Sequence, residues 1–484
     1  MKTKITRIAL SVIVPAMIIV LAAYRPPVQE TFVIISWNDL GMHCANKDFQ
    51  NLCVLPPYNN LKAQVIQRGN STSLPQLVTS GLTVNYSIPG NTVSTNKTNF
   101  WDYEDQLFGV DLPPNTGLTG AGLTGTFATG TPGNDYFFID GIPVTPFQDN
   151  DLFNEDPYQQ ALVELFDSQN NLLAMAEPVI PVSNEINCVS SGCHNSEMGI
   201  LYEHEEEGGF DPENTPILCA ECHSSNALGT PGMPGLESLS QVIHEKHGEE
   251  TNDCYKCHPG PNTQCHRDVM HTAGMVCQDC HGSVAQVGQS IDDGREPWLE
   301  EPQCGSSNCH GSNYAEEPGK LFRNSRGHGG LFCSACHGSP HALYTSENAR
   351  DNAQIIALQG YAGILRECIV CHGVNPTSPG PHGFIPTEVE QIDGISADGL
   401  TLDPPQPNPM ADQTLILFSI NKPGKTYLDI YDVNGRQIAR LINANLDKGR
   451  FQVTFNNPGF ARGIYFVKLR NNSNTLTQKL ILAK

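Results

Sequence analysis

The sequence predicts a multidomain chain of three folded parts: a β-rich N-terminal domain, an irregular middle of loops and short helices, and a small C-terminal β-sandwich. Three observations predict it. Apolar and polar residues alternate near both ends of the chain, as half-buried strands require. Between those ends, cysteine and histidine crowd into residues 188–372. Charge also changes sign: residues 1–23 carry +3 and residues 413–484 carry +8 within a total of −23, which leaves −34 on residues 24–412. So acidic a body lacks the basic footprint of a nucleic-acid binder, and so sharp a change of sign marks separate domains.

Residues 1–23 read as a signal peptide. Lys2, Lys4 and Arg7 precede an apolar run from Ile8 to Ala23, the charged and hydrophobic regions of an export signal. The run contains Pro15 and is shorter than the roughly 20 residues of a membrane span. No later segment is apolar enough to cross a bilayer, so the mature protein is expected to be exported without a transmembrane segment.

Residues 24–187 read as the β-rich domain. Leu82, Val84, Tyr86 and Ile88 alternate with small polar residues, and Leu162–Phe166 and Leu172–Ala176 flank the turn-forming Asp167–Asn171 as a hairpin. Residues 115–134, rich in Gly and Thr, read as a long loop. Residues 188–395 form the Cys/His-rich domain. Residues 396–412 read as a stiff linker, with four prolines between Pro404 and Pro409. Residues 413–484 return to strands at Leu415–Ile420, Tyr427–Val433, Gln437–Ile442, Phe451–Phe455, Ile464–Leu469 and Lys479–Leu482, with a hairpin turn at Asn434-Gly435.

The chemistry lies in the middle. Five segments have the form C-x-x-C-H: Cys219-Cys222-His223, Cys254-Cys257-His258, Cys277-Cys280-His281, Cys333-Cys336-His337 and Cys368-Cys371-His372. Two more, Cys188-Cys193-His194 and Cys304-Cys309-His310, carry a four-residue spacer. In such a motif two thiols add to the haem vinyl groups while the adjacent histidine reaches the iron. A single C-x-x-C also fits a redox pair or half a zinc site, but repetition before histidine in an exported chain favours seven covalent haem c groups. Seven motifs in residues 188–372 come to one per 26 residues or so, far below the needs of independent domains. The expected core is therefore haem-filled. The region resembles a multihaem c-type cytochrome, which implies electron transfer.

Nine histidines lie outside the motifs. His204, His244, His247, His271, His328, His341 and His382 are the expected distal iron ligands, with His43 and His266 in reserve. A haem capped by histidine on both faces transfers electrons and leaves no position for substrate. For His204, inside the acidic run Glu203–Glu207, a solvated side chain is the competing reading. Met270 and Met275 are alternative ligands that raise a haem potential. Cys44 and Cys53 are close enough in sequence for an extracellular disulfide. The rival reading has the His43-Cys44 pair serving a haem, and Trp37–Cys44 (WNDLGMHC) is similar to a stretch of other exported multihaem proteins. Cys265-His266 stands alone, either a decayed eighth motif or a loop pair whose histidine is a ligand.

Residues 413–484 resemble the type A sorting domain of type IX secretion, an immunoglobulin-like sandwich. Tyr427–Arg436 (YLDIYDVNGR), Gly463–Leu469 (GIYFVKL) and Gln478–Lys484 (QKLILAK) carry the resemblance. It implies contact with the secretion machinery, passage through the outer membrane, and often removal of the module with attachment to the outer surface. A carbohydrate-binding or spacer sandwich is the alternative.

These readings combine into an exported, surface-displayed heptahaem electron carrier rather than a substrate-converting enzyme. Its expected partners are redox proteins or extracellular acceptors, with self-association into a filament a further expectation. The alternative is a reductase of a nitrogen or sulfur oxyanion at one haem with an open position. A third reading is an adhesin with structural haems.

Overall fold

The computed structural model describes residues 31–483 except 131–134, 207, 261, 375, 377–379, 384–388, 393–398, 412, 458 and 459. The expected signal peptide lies outside the described residues. Among the described residues no helix is long and apolar enough to cross a membrane.

The N-terminal part is built on two facing sheets. In one, Phe32–Trp37 pairs antiparallel with Asn60–Gln67, which continues to Phe137–Asp140 and Ala128–Thr129. In the other, Leu172–Ala176, Leu162–Asp167, Leu82–Ser87 and Thr124–Thr126 follow in order. Strand periodicity sends Ile34, Leu61, Ala63 and Val65 inward against Val84, Tyr86, Val163 and Leu165, all buried. The hairpin of residues 162–176 and the alternating strand at 82–87 form as expected. Residues 115–134 are less uniform than their composition implies, because Thr124–Thr126 and Ala128–Thr129 add edge strands to the two sheets.

The strand Phe32–Trp37 (FVIISW) is apolar except for Ser36, and both its faces are covered. Val33, Ile35, Trp37 and Ile66 turn away from the sandwich to pack on Leu331, Phe332, Ala335 and Val370 of the Cys/His-rich region. Two buried glutamines complete the join. Gln64 accepts from the Phe332 N–H (2.9 Å) and donates to the Gly330 carbonyl (3.1 Å). Gln354 accepts from the Ser36 N–H and donates to the Ser36 carbonyl, both at 2.9 Å.

The C-terminal sandwich holds all six expected strands. Gln413–Ile420 and Gly449–Asn456 belong to one antiparallel sheet, and Gln437–Leu446, Gly424–Tyr431, Gly463–Asn471 and Asn474–Leu482 form the other. The expected linker at 396–412 is corrected. Thr401–Leu402 pairs with Gln413–Ile420, Gln406 bridges to Leu415, and Met410 bridges to Leu482 with no exposure. Val389–Ile392, assigned by sequence to the domain before it, pairs with Gly449–Asn456. Proline lacks an N–H but not a carbonyl, so a proline-rich segment can lie along a sheet edge as well as span a gap. Arg366 lies over the Phe460 ring at 4.9 Å, which brings the sandwich against the middle region.

Gln354→Ala leaves both backbone groups of Ser36 buried without partners. It is expected to destabilise the protein by about 3 kcal/mol, read as a lowered midpoint in denaturant unfolding.

Candidate functional site

Each C-x-x-C-H segment closes on itself. The N–H of His223, His258 and His372 donates to the carbonyl of the first cysteine of its motif, at 3.1, 2.9 and 2.8 Å. His194 and His310 close in the same way onto Cys188 and Cys304, both at 3.1 Å, although two more residues intervene. The longer spacers bulge without moving the histidine away from its first thiol, so the two irregular motifs present the same groups as the five regular ones.

All fourteen motif cysteines and all seven motif histidines line one cavity of about 3560 Å³. Small-molecule pockets commonly measure roughly 300–1,000 Å³, so this space is on another scale. Seven further histidines line it: His204, His244, His247, His266, His328, His341 and His382.

Ring spacing sorts these histidines. Two metal–nitrogen bonds of about 2 Å and the ring dimensions place trans imidazole centroids about 6 Å apart. Six motif histidines stand at that spacing from a histidine outside the motifs. The pairs are His194–His247 at 6.0 Å, His223–His204 at 6.0 Å, His258–His244 at 6.2 Å, His281–His341 at 6.2 Å, His337–His382 at 6.1 Å and His372–His328 at 5.9 Å. His204, exposed in its acidic run, is among them and also lies 5.0 Å from the Phe210 ring.

The rings also have the right nitrogen available. Nδ1 of His244 donates to the Ser240 carbonyl (2.6 Å), that of His247 to the Ile243 carbonyl (2.7 Å) and that of His223 to the Glu237 carbonyl (2.9 Å). A carbonyl only accepts, so each Nδ1 carries the proton and each Nε2 keeps its lone pair, the usual outer support of a ligating histidine. The helix Leu239–His247 starts at an N-cap where Ser238 accepts from Gln241, and its last turn carries both His244 and His247. Gly248 and Gly288 let it approach the helix Val284–Asp292 closely. A Cβ on Gly248 would stand 2.9 Å from Ala285 Cα. Burial, then the neighbouring rings, hold His258 and His281 down to about 4, and the same causes lower His337 to about 4. These rings open onto the cavity yet are enclosed by protein, and they stay neutral, the form that binds metal.

The thiols form a row. Cys219 stands within electrostatic reach of Cys188, and Cys257 of Cys188 and Cys193. Cys254 neighbours Cys277, Cys280 neighbours Cys309, Cys304 neighbours Cys333, and Cys336 neighbours Cys371. The motifs therefore follow in space as those of Cys219, Cys188, Cys254, Cys277, Cys304, Cys333 and Cys368. Only the first two are exchanged relative to the sequence.

Other expectations are corrected. His271 does not line the cavity: its Nδ1 lies 3.0 Å from Glu347, and Gln264 reaches its ring. His43 is buried in the N-terminal part, 3.5 Å from Asp39, and is not a lining residue. His266 lines the cavity but is engaged by Asp268 at 3.2 Å. Cys44 and Cys53 are free thiols rather than a disulfide. They belong to different parallel ladders, Cys44 beside Ser183 and Cys53 beside Leu218. Cys44 instead neighbours Cys265, and Cys53 neighbours Cys219. Met270 and Met275 line the cavity. Among the described residues, no group of three or more His, Cys, Asp or Glu side chains is arranged to hold a metal ion by itself. The donor set here is instead thiol pairs and opposed imidazoles, which fits haem c.

Residues 406–483 match the family model of the secretion system C-terminal sorting domain, which supports type IX sorting, export and attachment at the cell surface. The match begins inside the segment that its prolines mark as a linker. No curated protein matches the chain. Among solved structures, the crystal structure of CopC from Methylosinus trichosporium OB3b is 20% identical over 17% of this chain and 91% of that one, with a TM-score of 0.14. A conjugative transposon lipoprotein from Bacteroides eggerthii DSM 20697 is 12% identical over 20% and 98%, with a TM-score of 0.13.

The Asp268 hydrogen bond raises His266. Burial alone would raise Asp268, but hydrogen bonds from His266 and from the N–H groups of His271 and Met270 hold it below its ordinary range. The raised histidine contributes stability below the ordinary histidine pKa and loses it as pH climbs through the folded value. The lowered carboxylate contributes above the ordinary aspartate pKa and loses it as pH falls through the folded value. Asp268→Ala, which also removes a helix cap, is expected to cost about 1–2 kcal/mol. The difference from wild type should be largest between about pH 4 and 6.5, checked by thermal unfolding across pH.

Proposed function

We propose that the chain is a cell-surface multihaem c-type cytochrome that carries electrons along a row of seven covalently attached haems. One observation carries the reading: six motif histidines each face a second histidine at the spacing of two imidazoles sharing one iron. When bound, haem supplies reversible one-electron chemistry at iron. The chain supplies the rest. Its thiols anchor, its neutral imidazoles ligate, and carbonyls fix the rings of His223, His244 and His247 by Nδ1. The row of thiols supports a conductor, since each motif abuts the next. The −34 of residues 24–412 lowers potentials and favours cationic or mineral acceptors over acidic ones. The sorting domain supports display outside the cell, where such an acceptor is met.

The second reading, reduction of an oxyanion at one open iron, draws on His310, the motif histidine that has no histidine opposite. Intact mass of the purified protein tests the main reading: seven haems are expected, and fewer than five would sink it. Cys254→Ala with Cys257→Ala should remove one haem from the mass. His244→Met should raise the potential of one centre, seen as one displaced component in a potentiometric titration.

A further inference from the structure

The sixteen histidines of the chain are all among the described residues, so their allocation can be followed to the end. Seven belong to motifs, and six of these have histidine partners. The remaining three, His43, His266 and His271, are engaged by Asp39, Asp268 and Glu347. His310 is left with no histidine at the ligating spacing. The ring nearest it is that of Tyr314, at 6.3 Å and 65°.

Tyr314 ends the short turn Ser312–Tyr314 and is 41% exposed, and Cys309 and His310 are exposed as well. His310 thus opens onto the cavity, as His258 and His281 also do. The Tyr314 ring also lies 5.0 Å from that of His382, tilted by 38°, and His382 faces His337. The ring that serves the adjacent motif thus stands behind Tyr314 instead of opposite His310. The Glu316 carboxylate accepts from the N–H groups of Cys304 (2.6 Å) and Gly305 (3.2 Å), placing a negative charge beside the attachment site.

We propose that the iron carried by Cys304, Cys309 and His310 has an exchangeable sixth position on the Tyr314 side, open to a small neutral ligand of ferrous iron. The inference rests on the cytochrome reading. The ligand class follows from charge and weighs against the oxyanion of the second reading: Glu316 and the acidic body repel oxyanions, whereas a neutral diatomic enters without that penalty. The site lies fifth of seven in the row, with Cys309 beside Cys280 and Cys304 beside Cys333. A ligand bound there would sit within the conductor, not at its end.

The test uses full-length holoprotein whose haem count by mass and attachment at Cys304 and Cys309 by peptide mapping are established first. Reduced with dithionite and titrated with carbon monoxide, one haem in seven is expected to respond. Cys304→Ala with Cys309→Ala should leave six haems and no response. Tyr314→His, an exposed substitution that completes a seventh imidazole pair, should keep seven haems and weaken carbon monoxide binding at least tenfold. Seven haems with no response in the wild type would overturn the inference while leaving the cytochrome reading intact. A response that persists in the six-haem variant, or is unchanged in Tyr314→His, would also overturn it, as would a phenolate charge-transfer band lost in Tyr314→Phe. Ferric protein that binds azide more tightly than ferrous protein binds carbon monoxide would overturn the ligand class. Fewer than five haems by mass removes the parent reading itself.

Discussion

A chain wrapped around a cavity of about 3560 Å³ has little interior of its own, and the middle region depends on what it leans against. The support is the strand Phe32–Trp37, whose six residues face a β-sandwich core on one side and the Cys333–His337 and Ile369–His372 segments on the other. A strand apolar on both faces normally belongs inside a layered fold. Here one layer is ordinary sheet and the other is irregular chain. The buried amides of Gln64 and Gln354 satisfy backbone groups that no regular ladder would reach, as an irregular layer on a sheet requires.

Inside the cavity the governing constraint is protonation. An imidazole surrounded by protein and facing another imidazole cannot easily hold a charge, since burial and like-charge repulsion act in the same direction. His258, His281 and His337 are all held far below the ordinary histidine range for that reason. The arrangement that makes them poor cations makes them good metal ligands, and for His223, His244 and His247 a carbonyl on Nδ1 settles which nitrogen is offered.

What sequence makes legible here is what depends on neighbours in the chain. The seven motifs, the 162–176 hairpin and the six C-terminal strands are local patterns and stand where expected. Distal pairing is not local. His271 lies closer in sequence to a motif than His204 does, yet Glu347 captures it while His204 stands opposite His223. Cys44 and Cys53 are nine positions apart, but Asn46 bonds to Leu52, Val54 and Leu55 and folds the intervening loop so that each thiol enters a different ladder. The prolines before residue 412 set backbone angles, whereas the partner of that backbone is chosen by Gln413–Ile420 and Leu482. Tyr314 opposite His310 has no signature in sequence at all, because it emerges only after every other histidine has been placed.

The row of motifs is tied at both ends to the same N-terminal domain. At one end Leu218, just before Cys219, pairs with Cys53 in a parallel ladder. At the other, the Gly69 N–H donates to the Cys371 carbonyl at 2.9 Å. Between those ends the Arg267 guanidinium donates to the Gly41 carbonyl and the Ser339 hydroxyl to that of Asn38, so the row is held to this domain along its course. Neither the ends nor the middle of the row can shift without breaking hydrogen bonds to that domain.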